Sequence, residues 1–398
     1  MFGFSSGVPQ KKCGVIIDIG SGSVGVAIVL SDTQEAKPEV IWSHRTYVLI
    51  KDIVSTEIPM KEITTSLVNA FLQLGGDGVK ALQEKDSSLH ISAIQVTISA
   101  PWTYTITKSI NFSDEHPFEV NETLIEELSK TAEKQAFVAI LENEILQESQ
   151  LEVIDNKTIH TSINGYPVKN PHKIKTREII IAHITAITHK KIITVLEDSK
   201  NKVLPKTQMT THSFMYMFYN VLKNLNPDTS EACLIDVTSE ATEIGVLREG
   251  ALTHVTHDSF GTFSLAREIA TLCKIPKEEA YTYMKGGTSF VETKLSDSKL
   301  AELQVIIEAY EDKIAELFRR TGDALAIPKT LFLHCERETE DFFAKHVANA
   351  AKKATGAKHS VHPITSLLFE KGSSTETALL LSAHQFHKDH VRTAHTNT

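Results

Sequence analysis

The stretch that decides the fold is Gly14 to Leu30, GVIIDIGSGSVGVAIVL. An apolar run, Val15 to Ile17, ends in an acid, Asp18. A tight loop of small residues follows, Gly20-Ser21-Gly22-Ser23, and a second apolar strand runs from Val24 to Leu30. Strand, acid, small-residue hairpin and returning strand make a candidate phosphate cradle. Glycines let backbone N–H groups approach an anion closely, and the two serines add hydroxyl donors. Asp18, at the end of the strand, is placed to hold a metal ion through water. An ordinary Gly-rich β-hairpin has the same pattern, so the stretch does not decide function by itself.

A second stretch repeats it. Ala232 to Val255, ACLIDVTSEATEIGVLREGALTHV, is again an apolar strand ending in an acid, Asp236. A loop of small and polar residues, a returning strand and a turn at Arg248-Glu249-Gly250 follow. Two copies of strand, Asp, loop and strand, about half the chain apart, suggest two similar lobes facing each other across a cleft.

The 398 residues are enough for two or more domains with cores of their own. Hydrophobic content of 41% and charged content of 23% are ordinary for a globular chain. The net charge of −9 argues against a general nucleic-acid binder, because no basic stripe would neutralise phosphates. No apolar run is long enough to cross a bilayer, and the first residues, MFGFSSGVPQKK, lack the apolar segment of a secretory signal. Cys13, Cys233, Cys273 and Cys335 are scattered with no CxxC spacing, which favours free thiols in a reducing compartment and hence the cytoplasm.

Apolar periodicity predicts a helix from Lys61 to about Leu74, with Ile63, Leu67, Ala70, Phe71 and Leu74 on one face. Asn121 is the expected N-cap of a long helix running to Leu146. Leu300 to Arg320 reads as a strongly amphipathic helix whose apolar face is core or borders a groove for a partner peptide. Between Tyr104 and Leu204 the order strand, helix, strand, strand, helix reads as a separate module.

With these elements in place the chain resembles the actin-like ATPase superfamily, and within it the cell-division protein FtsA and the pilus-assembly protein PilM. The resemblance rests on D-I-G-S-G-S at Asp18 to Ser23, on the module segment INGYPVKNPHKIKTREIIIAHITAIT at Ile163 to Thr188, on SFGTFSLAREIA at Ser259 to Ala270 and on EEAYTYMKGG at Glu278 to Gly287. It implies an α/β, actin-like (ribonuclease-H-like) two-lobed fold, with a strand-helix-strand-strand module inserted in the first lobe. The first lobe is expected at 13–103 and 205–227, the module at 104–204, and the second lobe at 228–383 with its small subdomain at 276–325. Flexible termini are expected at 1–12 and 384–398.

The same resemblance implies ATP and Mg²⁺ as ligands. Asp18, Gly20, Ser21, Gly22, Ser23, Asp236, Thr238 and Ser239 would contact the nucleotide, and Asp18 and Asp236 the metal. The sequence departs from the family in two places. The second loop, Asp236-Val237-Thr238-Ser239-Glu240-Ala241-Thr242-Glu243, lacks the family's glycines. It brings the charge of Glu240 near the expected phosphates, a repulsion of about 4 kcal/mol at 4 Å near a protein surface. Where the family has two glycines for adenosine, the chain reads His334-Cys335-Glu336-Arg337. These departures argue for weak or absent hydrolysis, and no catalytic base can be assigned.

The expected function is therefore a cytoplasmic FtsA/PilM-like scaffold for cell division or for pilus and envelope assembly. Protein partners and self-association are expected, with no nucleic acid. The alternatives are an active Mg-ATPase driving filament assembly and a peptide-binding pilus adaptor. His384, His387 and His390 allow a metal pair on a helix, but a polar, fraying end is the preferred reading. No segment after Ala383 has the apolar-basic face of a membrane anchor, so recruitment to the inner face of the membrane would need a partner.

Overall fold

In the computed structural model, residues 10–49, 57–142, 150–285, 296–322, 327–368 and 375–396 are described. The apolar run at the start of the chain becomes β1 (Lys11–Ile19), a central strand covered on both faces. Cys13, Val15, Ile17 and Ile19 enter one core and Ile16 another, which is why apolar residues continue without alternation. β1 pairs antiparallel with β2 (Ser23–Asp32), and β2 pairs antiparallel with β3 (Glu39–Tyr47). The other side of β1 pairs parallel with β4 (Ile91–Ile98), and β4 with β9 (Gln208–Ser213), giving the order β3-β2-β1-β4-β9.

The second half repeats this sheet strand for strand. β10 (Ala232–Val237) pairs antiparallel with β11 (Thr242–Arg248), and β11 with β12 (Ala251–Asp258). β10 then pairs parallel with β13 (Thr330–His334), and β13 with β14 (Ser360–Pro363), so the order is β12-β11-β10-β13-β14. The duplication expected from the two Asp-containing stretches is a duplication of whole sheets. The fold is accordingly the two-lobed, actin-like α/β fold.

A third, antiparallel sheet follows the first four strands. It has β5 (Thr103–Glu119), β6 (Leu151–Ile163), β7 (Tyr166–Pro167) and β8 (Lys175–His189) in the order β5-β8-β6-β7. Asn164 and Gly165, both at positive φ, make the tight β6–β7 turn.

Helices cover the sheets. The first is α1 (Glu57–Gln73), continued by a π-helical segment (Leu74–Gly78) and by α2 (Val79–Lys85). At Gly75, Gly76 and Gly78 the helical hydrogen bonding changes from i+4 to i+5 without ending the helix. α3 (Glu122–Leu141) lies on the third sheet, with Asn121 Oδ1 accepting from the Leu124 N–H at 2.8 Å, as its N-cap role predicts. The expected extension of this helix over 143–149 lies outside the described residues. α4 (Lys190–Val203), expected inside the module, instead sends Ile192 and Leu196 into the core of the first sheet. The remaining helices are α5 (Phe214–Leu225), α6 (Thr262–Cys273), α7 (Lys277–Lys285), α8 (Asp297–Arg320), α9 (Glu340–Thr355), α10 (Thr365–Leu368) and α11 (Thr377–Thr396). The apolar face of α8, including Leu303, Ile307, Tyr310, Ile314, Leu317 and Phe318, belongs to the core of the second sheet, so it is core rather than an open groove.

The termini correct the sequence reading. Lys11 and Lys12, assigned to a flexible lead-in, already belong to β1, while residues 1–9 lie outside the described residues. The flexible tail expected at 384–398 is also overturned, since α11 runs to Thr396. Ala378 and Leu381 of α11 pack against the second sheet, and Leu379, Ala383 and Phe386 against the first. Hydrogen bonds hold its far end: Nδ1 of His387 and Nδ1 of His390 each lie 2.8 Å from the Ser31 hydroxyl. These histidines read as polar on a sequence scale, but they are buried and satisfied across the fold. Among the described residues no group of three or more His, Cys, Asp or Glu could hold a metal ion.

Phe386 lies over Gly14, where a Cβ would stand only 2.3 Å from the ring. Phe386→Ala is expected to destabilise the protein by about 3–5 kcal/mol in urea unfolding. A loss below about 0.5 kcal/mol, the range of an exposed substitution, would show that the end of α11 is not packed.

Candidate functional site

The register of the first sheet lines up three residues. Asp18 on β1 stands opposite Gly25 on β2, and Gly25 opposite Arg45 on β3. Because Gly25 has no side chain, the Arg45 guanidinium crosses over it; a Cβ at 25 would lie 2.6 Å from Arg45 Nη2. Arg45 Nη2 then donates to Asp18 Oδ2 at 2.8 Å, and Nη1 to Ser23 Oγ at 2.9 Å. Arg45 Nε donates to Glu376, just ahead of α11, and Tyr47 Oη donates to the same carboxylate at 3.2 Å. The Arg45 and Asp18 side chains are 10% and 4% exposed, so the pair is shielded from solvent competition.

The equivalent row of the second sheet is His334, Asp236, Glu243 and His257, on β13, β10, β11 and β12. His334 Nδ1 lies 2.7 Å from Asp236 Oδ1, with the ring N–H donating to the carboxylate, and the His334 ring is packed against Phe214. Glu243 occupies the row position that Gly25 holds in the first lobe. Both of its carboxyl oxygens, and Asp236 Oδ2, are buried with no hydrogen-bond partner among the described residues. Burial, and then the negative charge of Asp236, pushes the Glu243 carboxyl well above the usual range. Burial also raises Asp236, against the opposing pull of His334. Burial drives His257 down to about 4, so that ring is neutral at physiological pH.

The two loops touch directly. Ser21 Oγ donates to Thr238 Oγ1 at 2.7 Å, joining residues 217 apart in sequence, and accepts from the Glu240 N–H at 2.7 Å. Gly22 is needed for this approach, since its Cβ would stand 2.5 Å from Ser239 Cβ. The N-terminus of α6, a natural anion site, is already occupied by the second loop. The Thr262 N–H donates to Thr238 O at 3.0 Å and the Phe263 N–H to Ser239 O at 2.7 Å. Gly261 allows that contact: a Cβ there would fall 2.2 Å from Thr238 O. The charge of Glu240 does not point at the cleft unopposed, because Arg267 of α6 takes both of its oxygens at 2.7 Å.

The structure brings the residues expected from sequence together. Asp18, Gly20, Ser21, Ser23, Thr238 and Ser239 line one cavity of about 420 Å³ between the lobes. Gly22 lies at the loop contact, and Asp236 lies behind His334, which lines the cavity. His334, Cys335, Glu336 and Arg337, read as an altered adenosine segment, form another wall. Arg45, Glu376 and Lys285 were missed by sequence reasoning. Lys285 pairs with Glu338 at 2.7 Å and Glu336 at 3.5 Å.

Mg²⁺ with ATP would have to displace contacts that the cleft already makes. Mg²⁺ binds through carboxylate oxygens and retained waters. Asp18 Oδ2 is engaged by a guanidinium, Asp236 Oδ1 by an imidazole, and the loops that would flank a triphosphate are bonded to each other.

The raised Glu243 carboxyl makes stability depend on pH. Between about 4.3, where glutamate ionises in an unfolded chain, and its higher folded value, the folded state holds a proton that the unfolded state releases. Stability therefore falls as pH rises through that window. Glu243→Gln should remove this contribution and stabilise the protein by about 1–3 kcal/mol toward pH 8. Urea unfolding of both proteins from pH 5 to 8 measures it, and parallel pH slopes would contradict it.

No protein-family model matches the chain, and no curated protein matches its sequence. Solved structures do. PilM in the PilM-PilN type IV pilus biogenesis complex is 9% identical with a TM-score of 0.54, the match covering 98% of this chain and 99% of that one. The ethanolamine utilization protein EutJ from Carboxydothermus hydrogenoformans is 13% identical with a TM-score of 0.41, covering 94% of this chain and 90% of that one. A Bacteroides thetaiotaomicron protein with an actin-like ATPase fold is 13% identical with a TM-score of 0.40, covering 92% of this chain and 100% of that one. With its duplicated five-stranded sheets and intervening cleft, the chain has the actin-like fold and resembles PilM along nearly its whole length.

Proposed function

We propose that the protein is a PilM-like actin-family scaffold that docks protein partners in pilus or envelope assembly and does not turn over ATP. The observation that carries this reading is the fold correspondence with PilM, which spans both lobes and the third sheet. The PilM match is to a PilM-PilN complex, so a protein partner is the first ligand to test, and the adaptor reading makes it a short segment of a membrane protein. Among the described residues no helix is long and apolar enough to cross a membrane, which is compatible with recruitment by such a partner. The four cysteines are all unpaired, which supports a reducing compartment and hence the cytoplasm. The pairing of Asp18 and Asp236 with Arg45 and His334 favours the scaffold over the Mg-ATPase reading.

Affinity capture from the native host with the tagged full chain tests the docking role. Pilus or envelope-assembly components are the expected partners. Recovery of division components alone would move the reading to the FtsA-like alternative, and recovery of neither would count against a scaffold. In a parallel phosphate-release assay, turnover of Mg-ATP should match that of Asp18→Ala. Turnover abolished by Asp18→Ala or Asp236→Asn would restore the ATPase reading.

A further inference from the structure

We propose that Arg45 is a built-in cation standing in for the divalent metal of an actin-like cleft. The lobes are then held closed by the protein's own side chains, with no requirement for metal or nucleotide. The inference holds whichever partner the scaffold docks.

Three independent observations converge on it. First, the position of Arg45 is fixed by sheet register: it reaches Asp18 only because Gly25 lies between them in the same row. A charged nitrogen at 2.8 Å from Asp18 Oδ2, with a second at 2.9 Å from Ser23 Oγ, contacts the acid and the loop hydroxyl that a hydrated cation would contact. The same guanidinium binds Glu376 ahead of α11, so one side chain joins β1, the hairpin and the C-terminal helix. Second, the loops bond to each other directly. Ser21 bonds both Thr238 and the Glu240 N–H, and Gly22 admits Ser239. Third, the N–H groups at the start of α6 that could receive an anion are satisfied by the loop's own carbonyls.

The arrangement also accounts for both departures of the second loop. Glycines that would let phosphates approach are not needed where Ser21 is the neighbour, and the Glu240 carboxylate is drawn to Arg267 rather than toward the cavity. A ligand moves a two-lobed equilibrium only through differential affinity, and here the place beside Asp18 that a cation would take is already held by Arg45.

The test is a gain of metal dependence. In wild type, neither EDTA nor millimolar Mg²⁺ with ATP should change the melting temperature or the hydrogen-exchange protection of the Glu240 amide. Arg45→Gln frees Asp18, so its melting temperature should fall and Mg²⁺ alone should recover several degrees of the loss. Asp18→Asn in the Arg45→Gln background should abolish the recovery. Gly25→Ala pushes the guanidinium off Asp18 while keeping both charges, and should show the same gain if Arg45→Gln does not fold. Stabilisation of the wild type by Mg²⁺ with ATP would overturn the proposal. So would Arg45→Gln, or Gly25→Ala in its place, remaining indifferent to Mg²⁺.

Discussion

The contact on which the cleft depends is the ion pair of Arg45 with Asp18 across Gly25. A buried carboxylate at the end of a central strand is strongly destabilising unless it is paired and hydrogen-bonded. In an actin-like cleft a metal ion and its waters can meet that demand; here a guanidinium meets it. The consequence spreads outward. With Asp18 neutralised locally, the hairpin after it can rest against the opposite loop, and the Ser21 hydroxyl becomes the joint between lobes. Glu376 ties the same arginine to the helix that packs on both sheets, so closure of the cleft and docking of the C-terminus share one side chain.

The two sheets show how one architecture can be finished in two ways. The same row holds Thr97, Asp18, Gly25 and Arg45 in the first lobe and His334, Asp236, Glu243 and His257 in the second. In the first, a glycine lets a permanent cation reach the acid. In the second, a glutamate fills that place, the terminal residue is a histidine kept neutral by burial, and the neighbour on the other side supplies the partner. The first solution leaves a satisfied ion pair. The second leaves the Glu243 carboxyl oxygens buried without partners among the described residues, favouring its protonated form and placing the electrostatic strain of the site in the second lobe.

Much of the fold was legible in the sequence because it rests on local periodicity. The β1–β2 hairpin, the α1 face of Ile63, Leu67, Ala70, Phe71 and Leu74, and the α8 face all follow from spacing. The recurrence of an apolar strand ending in Asp revealed the duplicated lobes. What escaped depends on contacts between distant segments. β3, β9 and β14 are short or half-exposed strands whose pairing is set by neighbours rather than by their own composition. His387 and His390 mark a packed helix only once Ser31 is seen beneath them. Six of the eight nucleotide-site candidates line one cavity, with Gly22 at the loop contact and Asp236 bonded to His334 beside it. The side chains that determine their chemistry, Arg45, Glu376 and Arg267, are identified by register and crossing rather than by motif. For Arg45 the local sign was Gly25, a glycine inside an apolar strand, which marks the approach of another side chain.

Calorimetric titration of Mg²⁺ with ATP into the purified wild-type chain tests the central claim most directly. A cleft in which Arg45 already holds Asp18 and the two loops are bonded to each other predicts no saturable heat at millimolar nucleotide. A one-site isotherm with micromolar affinity, lost in Asp18→Ala, would contradict it.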